Sequence, residues 1–164
     1  MALKFLYMED SNEARNNFVR NLQGNHQVTF ASDLISLNDL LYTDRGYENF
    51  DVVLLDLSLA LPADISNDDL REAIPEFKNT NVPSYLEGVS NLYGFDYFRL
   101  VINTRKETKQ MVKERRVILF SGHAKRLRAK GLYTEQLYPT TRLVDRADKG
   151  AYDELIAYIY SLRK

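Results

Sequence analysis

The sequence predicts an α/β fold: a doubly wound, five-stranded parallel sheet with helices on both faces. Three observations predict it. Val52-Val53-Leu54-Leu55 and Val117-Ile118-Leu119-Phe120 are apolar runs without alternation, as central parallel strands covered on both faces require. Short apolar runs alternate with helical periodicity five times along the chain, and right-handed crossovers then put helices on both sides of the sheet. Tyr152, Leu155, Ile156 and Ile159 fall at i, i+3, i+4 and i+7, the amphipathic helix that completes the last unit. The expected strand order is 2-1-3-4-5, with a switch point between strands 1 and 3.

Each element has its own signal. Leu3 to Met8 reads as strand 1, running into Glu9-Asp10. Asp10 or Ser11 can cap a helix with Ala14, Phe18 and Leu22 on one face, and Gly24 lies just past its end. His26 to Phe30 is strand 2. Leu34, Leu37 and Leu41 give the next helical face, closed by a turn at Arg45-Gly46. Strand 3 lies within Asp51–Ser58. From Leu59 to Asn91 the pattern weakens, with Pro62, Pro75 and Pro83 as punctuation and a short helix expected around 69–74. Periodicity returns at Gly94, with Phe95, Phe98 and Ile102 on one face, and the charged stretch Arg105 to Arg116 is expected to extend that helix into solvent. Strand 4 ends at Ser121-Gly122-His123. A helix through Leu127 should stop near Gly131, and Leu143 to Ala147 is the last strand.

Composition narrows the function. The 164 residues suffice for one domain with a real core, spanning 1–164, and not for two. A formal net charge of -1 provides no global attraction to nucleic acid or anionic lipid. The absence of cysteine excludes disulfides, thiol catalysis and Cys-based zinc sites, and fits a reducing compartment. No run approaches the roughly 20 apolar residues of a membrane span, and the apolar start, Met1 to Met8, is too short for a signal peptide. A cytoplasmic protein is expected.

Parallel strands of an open α/β sheet present ligand groups at their carboxyl ends. Strand 3 stops at Asp56, which makes Asp56 the expected reactive group, and strand 1 stops at Glu9-Asp10. Three crowded carboxylates repel one another, and a hard cation relieves the repulsion; Mg²⁺ takes oxygen ligands and keeps several waters. Asp10 and Asp56 are expected as direct ligands, Glu9 through water, and the Ser58 backbone carbonyl as a further oxygen. Ser121 and a cation after strand 5 can hold the oxygens of an incoming phosphoryl group. The set suits a carboxylate nucleophile accepting phosphate in line. Taken singly these residues have plainer readings: Asp10-Ser11 and Ser121 as helix caps, Asp56 as the start of a loop, Arg146 and Lys149 as surface cations. What favours the chemistry is that separate strands each end in a group it needs.

The chain resembles the receiver domains of two-component response regulators, CheY-like proteins of flavodoxin-like fold. The resemblance is carried by Phe5-Leu6-Tyr7-Met8-Glu9-Asp10, Val52-Val53-Leu54-Leu55-Asp56-Leu57, Val117-Ile118-Leu119-Phe120-Ser121-Gly122-His123-Ala124 and Asp148-Lys149-Gly150. It implies Asp56 as phospho-acceptor, Glu9 and Asp10 as the acidic pair, Ser121 as the switch hydroxyl and Lys149 as the phosphate-binding cation, with Arg146 as the competitor for that place. It implies a sensor histidine kinase or phosphotransfer protein upstream and a protein partner downstream. It does not imply an enzyme in its own right, a nucleic-acid contact or a membrane. With the chain ending at the last helix, no output domain is expected on it.

Three departures stand out. Gly150 occupies the family's usual proline, and Arg146 its usual aromatic switch residue. Asp56 to Ser121 spans 65 positions, where the family needs about 30 with loops of ordinary size. The surplus is an insertion at roughly 59–91. Its apolar residues Leu70, Ile74, Phe77, Val82, Tyr85 and Leu86 predict a lid or partner surface packed near Asp56, with Arg71 or Lys78 available to a phosphate. The departures also support an alternative, a pseudo-receiver that binds proteins with its phosphorylation chemistry lost. A phosphohydrolase on a similar sheet is opposed by Ser58, which stands where a second, general-acid aspartate is needed.

Overall fold

The computed structural model describes residues 2–22, 24–59, 62–79 and 92–163. Its sheet has strands β1 (Lys4–Met8), β2 (Gln27–Ala31), β3 (Val52–Leu55), β4 (Val117–Ser121) and β5 (Arg142–Asp145). All pair in parallel, in the order β2-β1-β3-β4-β5. The helices are α1 (Asn12–Asn21), α2 (Leu34–Tyr42), α3 (Asn67–Ala73), α4 (Tyr93–Tyr97), α5 (Lys106–Lys113), α6 (Ala124–Ala129) and α7 (Ala151–Ser161). Among the described residues, no helix is long and apolar enough to cross a membrane.

The unbroken apolar runs follow from burial on both faces. Successive side chains of a strand point to opposite sides. Phe5, Tyr7, Val52, Leu54, Ile118 and Phe120 pack on one side with Phe18 of α1 and Leu155 and Ile159 of α7. Leu6, Met8, Val53, Leu55 and Leu119 pack on the other with Leu37 and Leu41 of α2 and Phe95 of α4. Ser11, not Asp10, caps α1, its side chain accepting from the Ala14 N–H at 3.3 Å. That leaves the Asp10 carboxylate available to the crevice.

Two expectations are corrected. The helix from Gly94 does not run on through the charged stretch. α4 widens into a π turn over Phe98–Ile102, and the Thr104 hydroxyl bonds back to the Leu100 carbonyl at 2.6 Å, a contact that competes with helix continuation. Arg105 is extended, and α5 starts afresh with Thr108, Met111 and Val112 buried. Nor is Arg105 a solvated charge. It pairs with Glu76 through Nε at 2.9 Å and Nη2 at 2.8 Å, and its guanidinium lies 4.2 Å from the Tyr42 ring centroid. The second correction concerns strand 5, which ends at Asp145 rather than Ala147. The Asp145 carboxylate accepts from the Ala147 N–H at 2.9 Å and its carbonyl from the Asp148 N–H at 3.1 Å. The turn therefore begins one residue before Arg146.

The described part of the insertion is a built layer of the core. Ser66 and Asp69 form a reciprocal capping box at the start of α3, which fixes the helix locally. Leu70, Ile74 and Phe77, the last on a 3₁₀ turn over Pro75–Asn79, are buried among α2 and α4. Glu76 on that turn reaches Arg105. The expected helix is thus present, two residues earlier than predicted. Val82, Tyr85 and Leu86 lie outside the described residues. Truncating a fully buried aromatic removes packing and leaves a cavity, so Phe77→Ala is expected to cost about 3–5 kcal/mol. Urea denaturation monitored by circular dichroism checks this.

Candidate functional site

The carboxyl ends of β1, β3, β4 and β5 meet around Asp56. The residue lies one position past β3, and its N–H donates to the Met8 carbonyl of β1 at 3.1 Å. The residue is 4% exposed, its carboxylate accepts from the Leu57 N–H at 2.8 Å, and the Ser121 hydroxyl and the Ser58 N–H lie near enough to favour its charge. Ser121 ends β4 opposite Asp145, and its hydroxyl oxygen also accepts from the His123 N–H at 3.2 Å. Glu9 and Asp10 follow β1. Glu9, Asp10 and Asp56 each offer a carboxylate oxygen within 4.8 Å of the others.

The acidic pair is unequal. Asp10 is exposed, whereas Glu9 is 1% exposed. Glu9 accepts from the Ser11 N–H at 2.9 Å and the Tyr7 hydroxyl at 3.2 Å, and it forms an ion pair with Arg146. Arg146 donates in turn to the Tyr7 oxygen at 3.2 Å. Burial is the main cause that lifts both Glu9 and Asp56 above the usual carboxylate range. For Glu9 the Asp56 charge adds to it, while the Ser11 N–H and Arg146 oppose it. For Asp56 the Ser121 hydroxyl, then Arg146, then the Leu57 and Ser58 N–H groups oppose it. Burial works against the Arg146 charge, but Tyr7, Glu9 and Asp56 outweigh it and hold the guanidinium firmly protonated.

Of the two candidate cations, the structure brings Arg146 and not Lys149 to the carboxylates. The physical reason is the early end of β5: the first residue beyond it faces the crevice, and that residue is Arg146. Lys149 is exposed in the following turn and makes no ion pair among the described residues. Gly150 then caps α7 with φ 83, a left-handed conformation closed to proline, whose ring fixes φ near -65°. Ser58 meets the site through its amide, directed at Asp56.

Two participants carry little signal in the sequence. Tyr7 counts as apolar in the strand pattern, although it stands two positions before Glu9 and so shares its side of the sheet. Gly94 packs against the site from beneath. Its N–H donates to the Leu57 carbonyl at 3.2 Å, and a Cβ there would lie 1.9 Å from the Asp56 carbonyl oxygen. Leu59 and Leu92 form a parallel bridge beside it, so both ends of the insertion are fixed next to Asp56.

The donors are all oxygens on a crowded anionic crevice, which fits a hard divalent cation such as Mg²⁺ better than a soft one. No protein-family model and no curated protein matches the sequence. Solved structures do match. The chain is similar to the bacteriophytochrome response regulator AtBRR, at 13% identity and TM-score 0.54 over 99% of this chain and 94% of that one. It is similar to a response regulator receiver domain from Rhodospirillum rubrum, at 15% identity and TM-score 0.54 over 99% and 96%. Strand order, helix placement and these likenesses agree: the chain has the CheY-like receiver fold of response regulators.

Proposed function

We propose that this protein is a phospho-acceptor receiver in two-component or phosphorelay signalling. One observation carries the reading: Asp56 ends the central strand with two further carboxylates and a strand-end hydroxyl gathered around it. The donor is a phosphohistidine on a sensor kinase or phosphotransfer protein. An Asp56 oxygen attacks phosphorus, the O–P bond forms as the donor's P–N bond breaks, and the bonding pair leaves on the donor nitrogen. The Leu57 N–H holds Oδ1 of Asp56, which orients the carboxylate. The Ser121 hydroxyl, near the Asp56 carboxylate, receives a phosphoryl oxygen. Asp10 and Asp56, with Glu9 behind, would hold Mg²⁺, which would supply charge neutralisation for the transferred group. The chain takes part once per signal rather than turning over as an enzyme, and it signals through a changed protein-binding surface.

A second reading, the pseudo-receiver, is favoured by the Arg146 ion pair, which neutralises Glu9 without a metal. The two separate on one measurement. Intact mass after incubation with phosphoramidate and Mg²⁺ is expected to rise by one phosphoryl group; an unchanged mass in fully folded protein supports the pseudo-receiver. Mg²⁺ alone is expected to bind weakly, because the ion keeps waters and gains few protein ligands. Titration should shift the amide NMR signals of Asp10 and Asp56, and silence there at high Mg²⁺ counts against the metal site.

A further inference from the structure

We propose that Arg146 is a tethered counter-cation: it competes with a divalent cation for the acidic pair and serves as the anion-binding cation once Asp56 carries a phosphoryl group. The proposal rests on the receiver reading of the site. Arg146 is the first residue past β5, in a turn, with its side chain 25% exposed. It sits at the rim of the crevice and not in the core. One nitrogen, Nη1, makes both of its contacts, to Glu9 and to the Tyr7 hydroxyl. A guanidinium has five N–H donors in a planar fork. The remaining donors make no hydrogen bond among the described residues, and none is a buried orphan. Arg146 therefore arrives with one arm on the acidic pair and the rest of its fork uncommitted, beside a residue whose charge it already feels.

Glu9 is already occupied. Its carboxylate is held by the chain's own donors, Ser11 N–H, Tyr7 hydroxyl and Arg146, whereas Asp10 lies open to solvent. A divalent ion approaching the pair meets a positive charge already seated on one member of it. The like charge weakens metal binding. A phosphoryl group on Asp56 reverses the balance, because its oxygens offer a guanidinium fork two-point hydrogen bonding. Tyr7 acts as a positioning residue, holding the guanidinium against Glu9 through its hydroxyl.

Removing the charge should then have effects of opposite sign on two ligands. Mn²⁺ binding, followed by electron paramagnetic resonance without any phosphodonor, should tighten about tenfold in Arg146→Gln, the scale of one nearby unit charge in a partly screened site. Beryllofluoride binding at saturating Mg²⁺, followed by NMR, should weaken about tenfold or more in the same variant. A merely structural role for Arg146 weakens both. Arg146→Lys keeps the charge and loses the fork, so Mn²⁺ binding stays near wild type while beryllofluoride binding falls. Tyr7→Phe removes the hydroxyl anchor at nearly constant shape and should tighten Mn²⁺ binding in the same direction as Arg146→Gln. If Arg146→Gln does not fold, the Arg146→Lys and Tyr7→Phe pair decides. Unchanged or weaker Mn²⁺ binding in Arg146→Gln overturns the proposal, as does beryllofluoride binding that depends on Lys149 and not on Arg146. The wild-type mass measurement is separate: failure to take up a phosphoryl group sinks the receiver reading, whereas a wrong Mn²⁺ pattern sinks only the role of Arg146.

Discussion

Asp56→Asn is expected to lose phosphoryl uptake entirely and to leave the protein more stable in metal-free buffer at neutral pH. The amide keeps the shape and can still accept from the Leu57 N–H at Oδ1, but it is far too poor a nucleophile to attack phosphorus. The gain in stability follows from the raised affinity of the native carboxylates for protons. Burial lifts Asp56, and its charge contributes to lifting Glu9. The native state therefore binds more protons than the unfolded chain between the unfolded carboxylate value, about 4, and the higher native one. Stability falls as pH rises through that window, and the penalty is fully present above it. Asp56→Asn removes the Asp56 share of the penalty and the repulsion it exerts on Glu9. Its advantage should be largest above the raised native range and fade as pH drops toward 4. Thermal melts of both proteins in EDTA across that range check the sign, at about 2–4 °C for each kcal/mol in a domain of this size. Undiminished phosphoryl uptake by the variant would mean that another residue is the acceptor.

The second large effect is expected at Gly94→Ala. An added Cβ lies 1.9 Å from the Asp56 carbonyl oxygen and 3.0 Å from its carbon. Both are main-chain atoms at the end of a central strand, so no flexible side chain can move aside. Overpacking a rigid site costs about 1–3 kcal/mol and sometimes more, and this contact belongs at or above the top of that range. The clash pushes α4 away from the loop after β3, which strains the Gly94–Leu57 hydrogen bond. Phosphorylation should slow even in the fraction that folds, because Asp56 moves with its carbonyl. A single methyl group thus connects stability and chemistry. Denaturant melts and the initial rate of phosphoramidate labelling measure the two separately, and an Ala variant normal in both would show that the backbone has slack here.

The sheet was legible because its signal is redundant. β1, β3 and β4 are buried on both faces, so every residue of Val52–Leu55 reports the same fact. Strand order followed from the five β-α units and crossover handedness, and the acidic trio from the rule that ligands gather at strand ends. The finer points hinge on single positions. Counting along the resemblance favours Lys149, whereas the Asp145 turn ends β5 early and brings Arg146 to the carboxylates. No periodicity encodes that turn. Tyr7 was hidden because its ring satisfies the apolar pattern while its hydroxyl serves the site. The break between α4 and α5 rests on the Thr104 hydroxyl and on the bidentate contact of Arg105 with Glu76, 29 positions away. A window of local sequence cannot see such a partner, so on local sequence the charge of Arg105 is a solvated one.

The Leu59–Leu92 bridge bears on how such a chain can change over time. Its two residues sit side by side, so the segment between them starts and ends at neighbouring points. Closing a flexible loop costs only about 0.6 kcal/mol more for each doubling of its length. Because the two ends already meet, a change of length between them need not alter the closure at the bridge, provided that Leu70, Ile74 and Phe77 keep their places in the core. The bridge acts as a hem: length can be let out or taken in beyond it while Asp56, three residues away, keeps its position. Among descendants of this chain, changes of length between Leu59 and Leu92 should spare the packed stretch from Ser66 to Phe77.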